Sequence, residues 1–315
     1  LPPQRTYVET IRKAKQIART VARGLNISGP FNIQFLAKNN RLMVIECNVR
    51  SSRSFPFASK VLKVNLVELA TRAIVGEPVR RLNASSLELD YVGVKAPQFS
   101  FGRLEGADPV LGVEMASTGE VGCLGVDLED ALLRAMISVG FRVPIRGALL
   151  STGPIEQKAK FLADVRRLAK LGTKLYATGG TADFLQEAGL AVTRVAWPLD
   201  AGEPNAIEII RSGSIDLVVN IPKDATEREL TNDYRIRRAA VDHGVPLITN
   251  IQLARQFVRA VRTYHDRVPE IRSWREFDSD ISQSRSADRK HVVPPTSPTA
   301  VADRAVTPKE PPVRV

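Results

Sequence analysis

The chain has 315 residues, 43% of them hydrophobic, and carries 45 Lys and Arg against 34 Asp and Glu, a net charge of +11. That length suits two domains and a tail with ordinary cores, while the absence of any apolar run of ~20 residues or of a signal pattern in the opening LPPQR excludes a membrane span and points to a cytoplasmic protein. Cys47 and Cys123 match neither a zinc spacing nor a disulfide framework, and Lys and Arg are spread along helices without aromatic interleaving, which argues against a nucleic-acid partner.

Residues 7–25 place Val8, Ile11, Ala14, Ile17, Ala18 and Val21 at helical spacing, with Gly24 near the expected C-cap. Two alternating segments follow, 32–37 and 42–48, joined by the polar turn 39–41. Pairing about that turn sets Gln34 opposite Glu46. Side chains alternate along a strand, so Glu46 and Asn48 project from the same face as Gln34, with Arg50 continuing on that face and Arg53 in the next loop. Three hard oxygen donors suit Mg²⁺ or Mn²⁺ shared with nucleotide phosphates, and the arginines suit phosphate or carboxylate. An exposed hairpin with polar outward positions accounts for the same spacing. Residues 61–74 read as a second amphipathic helix stopped by Gly76, Glu77 and Pro78. A strand is expected over 89–101, then a loop over 109–119 holding Glu114, Ser117 and Thr118.

A boundary falls near residues 144–147. Beyond it, strand candidates at 148–151, 173–177, 217–220 and 246–249 alternate with helical patterns at 157–171, 181–188, 206–212 and 234–243. Such alternation predicts a parallel sheet covered by helices on both faces, with ligands beyond the carboxyl ends of its strands. The segment YATGGT, 176–181, ends a strand and opens a helix, where backbone N–H groups and the hydroxyls of Thr178 and Thr181 suit an anion. An ordinary strand-to-helix turn is the plainer alternative. Lys158 and Asn220 lie on the same predicted edge, and a cation with neutral donors suits a phosphate or carboxylate ligand. His243, His265 and His291 sit near no plausible nucleophile. After about residue 275 the sequence is proline-rich and aperiodic, the composition of a disordered tail.

The run GPFNIQFLAKNNRLMVIECNVRSSRSFPFASKVLKVNLVELATRAIVGEPV resembles the end of the second ATP-grasp unit of the carbamoyl-phosphate synthase large chain. The similarity continues through DPVLGVEMASTGEV and ALLRAM. It implies that Gln34, Glu46 and Asn48 bind the catalytic metals, Gln34 and Glu46 thereby meeting Mg-ATP, and that Arg50 and Arg53 help hold the reacting phosphate. The later half resembles the methylglyoxal-synthase-like allosteric domain of those enzymes. There, positions matching Lys158, Thr178 and Thr181 hold the phosphate of nucleotide effectors in bacterial members. The segments VAWP (195–198) and IDLVVNIP (215–222) are more similar to synthases activated by N-acetylglutamate, in which Thr178, Thr181, Trp197, Asn220 and Asn232 match effector contacts. Lys223 stands where that subgroup has a further asparagine, and Trp197 also reads as a core indole.

The implied architecture is α/β: a partial ATP-grasp unit (α+β, antiparallel hairpins with helices) over 1–145, a Rossmann-like parallel-sheet methylglyoxal-synthase-like domain over 146–275, and a disordered tail over 276–315. The implied activity is Mg-ATP-dependent phosphorylation of carbamate, in arginine or pyrimidine biosynthesis. Implied partners are the rest of the large chain, a glutaminase small subunit or domain, and a small anionic effector, N-acetylglutamate or a nucleotide monophosphate. The flap and adenine pocket of the unit are expected elsewhere, so the chain alone is expected to be inactive. A stand-alone ligand-binding regulator is the alternative. Methylglyoxal synthase itself is disfavoured, because Ala201-Gly202-Glu203 and Thr231-Asn232-Asp233 replace its catalytic aspartate and histidine contexts; inosine-monophosphate cyclohydrolase shares the TGGT loop but not the first domain.

Overall fold

The computed structural model describes residues 1–79, 89–110, 119–221, 227–265 and 271–277. Helix α1, Val8–Gly24, lays Ile11, Ile17 and Val21 half-buried on one side and exposes its basic face. Its end is closed by Asn26, at φ 48°, rather than by Gly24. Ile27 N–H reaches back to Ala22 O at 2.9 Å and Asn26 N–H to Arg23 O at 3.2 Å, the paired bonds of a Schellman end in which asparagine replaces glycine.

Strands β1 (Asn32–Lys38) and β2 (Arg41–Asn48) form an antiparallel hairpin. The turn is two residues, Asn39 and Asn40, both at positive φ, as a type I′ turn requires. Lys38 therefore pairs with Arg41, one residue tighter than the sequence suggests. A register shift between Gln34 and Phe35 leaves Ile45 as an extra residue and returns Gln34 to a position opposite Glu46. The expected pairing is thus reached through a bulge. Thr10 Oγ1 donates to Asn40 Oδ1, tying the turn to α1.

The helix expected over 61–74 begins later: an earlier helix, α2 (Phe55–Val61), ends where it was to start, and α3 (Leu66–Ile74) forms its remainder. Lys63 takes φ 51° between them, and the Asn65 side chain accepts the Glu68 N–H at 3.1 Å as a new N-cap. Apolar periodicity persists across such a break, which is why it hides the break. Strands β3 (Val92–Gln98) and β4 (Gly119–Gly125) pair antiparallel, and α4 (Leu128–Ser138), capped by Asp127, lies over them. Glu114, Ser117 and Thr118 lie outside the described residues.

The later half is a five-stranded sheet, all parallel, in the order β7-β6-β5-β8-β9. Its strands are β5 (Gly147–Thr152), β6 (Lys174–Thr178), β7 (Thr193–Val195), β8 (Leu217–Ile221) and β9 (Leu247–Ile248). Helices α5 (Ile155–Lys170), α6 (Gly179–Glu187), α7 (Ala206–Arg211), α8 (Glu227–Asp242) and α9 (Ile251–Thr263) connect and cover them. The fully buried run Ala148, Leu149 and Leu150 on β5 is the signature of a strand covered on both faces. Sequence periodicity found four of these strands; three-residue β7 is too short to show any. It also passed over α9, whose Phe257 and Val258 are fully buried.

Helix α4 packs on α9, joining the two halves, and Tyr264 Oη donates to Asp127 Oδ2 at 2.9 Å. Phe277, assigned to the tail from sequence, is buried against Val61 and Tyr91, with the two rings edge-on at 5.7 Å. Among the described residues no helix is long and apolar enough to cross a membrane.

Candidate functional site

Two groups of polar residues stand out, built by different means. On the hairpin, the bulge brings Gln34 across from Glu46 and Asn32 across from Asn48. Asn48 Nδ2 donates to Glu46 Oε1 at 2.8 Å, so the carboxylate and this amide already converge on one face. Gln34 and Asn48 are half-buried and Glu46 is exposed. One carboxylate with two amide oxygens is a hard donor set of low charge, and it fits a Mg²⁺ whose remaining ligands are phosphate and water. Among the described residues there is no group of three His, Cys, Asp or Glu that would bind a metal without such help. Arg50 Nη1 donates to Ser51 O at 3.3 Å, and exposed Arg53 lines an open pocket of about 560 Å³ with Ser51, Ser52, Gly119 and Glu120. Cys47 points away from the donor face and is half-buried and reduced.

The second group lies at the carboxyl edge of the parallel sheet. The chain runs β5, β6, β7 to one side and then β8, β9 to the other, so the direction switches between β5 and β8. Open parallel sheets bind ligands at that crevice. Here the core turns polar: Ser151, Thr152, Thr178, Thr181, Asn220, Asn232, Asp233 and Arg237 are all buried. Buried polar groups need partners, and these have them. Thr178 Oγ1 donates to Ser151 Oγ at 3.1 Å, while Thr181 Oγ1 accepts the Thr152 N–H at 3.1 Å and donates to Thr152 O at 3.0 Å.

Lys158 reaches from α5 to the start of α6, where its Nζ donates to Gly180 O at 2.8 Å. Trp197 approaches Gly179 closely: a Cβ there would stand 3.1 Å from the indole Nε1, so the ring would have to give slightly to admit a side chain. Lys158, Thr178, Thr181 and Trp197 are therefore gathered around the Gly179-Gly180 turn. Asn232 reaches from α8 to the segment that carries Trp197, its Oδ1 accepting the Leu199 N–H at 3.0 Å.

Asn220 stands apart from this cluster in its bonding. Its Nδ2 donates to Asp233 Oδ1 at 2.7 Å, and its Oδ1 accepts from Arg237 Nη1 at 3.0 Å. Arg237 is only 2% exposed, yet it also donates Nε and Nη2 to the two oxygens of Asp108 in the first half, at 2.9 and 2.7 Å. Nearby, Tyr234 Oη donates to Gly106 O, and Arg238 donates to Phe101 O, Leu104 O and Ala107 O. Helix α8 thus grips the 101–108 segment of one half while bonding the carboxyl edge of the sheet in the other. Sequence reasoning missed Arg237, Asp233 and Asp108. The available signal was that Asp233 and Arg237 are four apart and in line with buried Ala240, placing an ion-pairing set on an apolar stripe.

Both halves of the chain contain a segment that matches a known protein family. Residues 2–82 match the family described as carbamoyl-phosphate synthase L chain, ATP binding domain, and residues 160–249 match the MGS-like domain. The multifunctional protein pyrABCN of Emericella nidulans is 46% identical over 276 residues, which cover 84% of this chain and 12% of that protein. Human mitochondrial carbamoyl-phosphate synthase [ammonia] is 44% identical over 273 residues, covering 83% of this chain and 18% of the relative. The chain therefore spans less than a fifth of the length of these relatives. A methylglyoxal synthase structure from Elizabethkingia anophelis overlaps 35% of this chain and 74% of its own at 21% identity, with a TM-score of 0.27, too slight a likeness to add to the assignment. On these matches the chain corresponds to the C-terminal part of the carbamoyl-phosphate synthase large chain.

Proposed function

We propose that this chain supplies part of a carbamate-phosphorylating ATP site and an allosteric pocket that regulates it. The observation that carries the first part is the register of the hairpin, which sets Gln34, Glu46 and Asn48 on one face with Arg50 and Arg53 just beyond. Mg²⁺ bound there with ATP would neutralise phosphate charge during transfer. Gln34, Glu46 and Asn48 orient that complex, and Arg50 and Arg53 hold the phosphate and carbamate oxygens, yielding carbamoyl phosphate and ADP. Residues 1–145 form the synthetic part and 146–275 the allosteric part. The remainder of the large chain, a glutaminase small subunit or domain and a cytoplasmic setting complete this reading.

The effector is a small anion held around the Gly179-Gly180 turn by Lys158, Thr178, Thr181, Trp197, Asn220 and Asn232. N-acetylglutamate is the first choice, because an indole N–H and neutral hydroxyls suit carboxylates; a nucleotide monophosphate is the second, favoured by Lys158. Glu46→Gln in an enzyme reconstituted with its remaining domains tests the first part. It removes a metal-facing charge while keeping shape, and carbamoyl phosphate formation should be lost with the fold intact. Unchanged turnover and metal requirement would refute the assignment.

A further inference from the structure

The pocket beside Arg53 contains a contradiction that one lysine resolves. If Arg50 and Arg53 hold an anion, as the proposed function requires, the carboxylate of Glu120 in the same pocket wall repels it. Lys95 on β3 answers this. It pairs with Gly122 on β4, which places it diagonally across from Glu120 on the same face of the ribbon. Its Nζ donates to Glu120 Oε1 at 2.7 Å and to Ser54 Oγ at 3.2 Å, the residue immediately after Arg53. Helix α2 covers the same face closely, since a Cβ on Gly122 would stand 2.8 Å from the Phe57 ring. Lys95 therefore emerges beside the first turn of α2, where the arginine loop ends.

We propose that Lys95 is a positioning residue for this anion pocket: it offsets the charge of Glu120 and ties β4 to the arginine loop through Ser54, so that a phosphate-sized anion binds beside Arg53. The inference rests on the reading of Arg50 and Arg53 as anion-holding residues. Its chemistry is electrostatic and involves no covalent step. With the ammonium present, the pair Lys95–Glu120 is neutral and the arginines set the sign of the pocket. Without it, a bare carboxylate faces the incoming anion.

The test is a titration of the full chain, isotopically labelled, with inorganic phosphate, reading the amide resonances of Ser52, Arg53, Ser54 and Glu120, so that phosphate bound at the other pocket does not interfere. The parent should saturate at these amides and Arg53→Ala should lose the response. Lys95→Met should weaken phosphate by about tenfold, and Lys95→Met combined with Glu120→Gln should recover to within about threefold of the parent, because the repelling charge has gone too. A lysine acting only as a structural strut would not be rescued in that way. Glu120→Gln alone should tighten phosphate by about threefold, and it decides the matter if Lys95→Met does not fold. If Arg53→Ala loses binding while Lys95→Met matches the parent, if the double variant stays as weak as Lys95→Met, or if Glu120→Gln leaves affinity unchanged, the role of Lys95 is overturned and the arginine reading stands. If the parent never saturates, or Arg53→Ala titrates like the parent, the arginine reading fails and takes the proposal with it.

Discussion

The two halves of this molecule hold their polar residues by opposite means. In the later half, a parallel sheet is covered on both faces, so Leu149, Val218 and Phe257 are fully buried and the carboxyl edge of the sheet is fixed by a closed core. In the earlier half, among the described residues up to 126, only Val61, Tyr91, Val92, Ala96 and Pro109 are buried apolar side chains, while Leu36, Met43, Val44 and Ile45 of the hairpin are exposed. A two-stranded ribbon has little independent stability, and this one is supported on one side by α1. The comparison teaches that the proposed pocket residues of the later half are positioned by packing, whereas the proposed metal face of the hairpin is positioned by backbone register: a type I′ turn and one bulge.

The contrast is most directly broken by core truncation. Phe257→Ala should cost about 3–5 kcal/mol, whereas Met43→Ala, at 59% exposure, should change stability by no more than about 0.5 kcal/mol. Denaturant unfolding of both variants checks this, and a large loss from Met43→Ala would mean that the hairpin carries more of the fold than its exposure indicates.

The link between halves is the next test. Arg237→Met leaves Asn220 Oδ1 without the Arg237 donor and releases Asp108, which is 42% exposed and so recovers hydration in part. A loss of about 2–3 kcal/mol is expected, below that for a wholly buried pair. Hydrogen exchange should accelerate at residues 101–108 and at the end of β8 together. Acceleration confined to one of them would show that α8 does not couple the halves.

Ligand affinity probes the pocket itself. Thr178→Ala should weaken effector binding by about 1–3 kcal/mol through loss of a hydrogen bond to a charged group. Calorimetry with N-acetylglutamate and with a nucleotide monophosphate reads both the loss and the preference. Parent-like affinity for Thr178→Ala would remove that hydroxyl from the pocket.

The smallest effect concerns pH. Asp216 accepts hydrogen bonds from Arg146 Nε, Nη2 and backbone N, which hold its carboxyl below the usual carboxylate range despite its burial. Because the folded pKa is depressed, this contribution is complete above the unfolded value of about 3.9 and is lost as pH falls through the folded value. Arg146 is 74% exposed, so solvent screens the pair and Asp216→Asn should cost only about 0.5–1 kcal/mol at neutral pH. The difference from the parent should vanish in acid; a constant difference down to low pH would assign it to packing.

What was legible in the sequence was whatever depends on local direction. Alternation placed Gln34, Glu46 and Asn48 on one face, and the pattern of strands and helices announced a parallel sheet with TGGT at a strand end. Even there the route differed, since the two-residue turn would have misaligned the hairpin by one residue without the bulge at Ile45. Periodicity also ran straight through the break at Lys63, because apolar spacing reports which side of a segment is buried and not where its backbone turns.

Long-range choices were decided only by the tertiary structure. Arg237 looks in sequence like one more arginine of a basic helix, and its partner Asp108 lies 129 residues away. Lys95, Ser54 and Glu120 come from three separate segments. A charged side chain is committed to a buried partner by how elements pack, and packing leaves no trace in the spacing of either residue. The sequence by itself determined which residues face which way; the assembled fold determined which of them meet, because burial forces each polar group to find the partner that happens to be within reach.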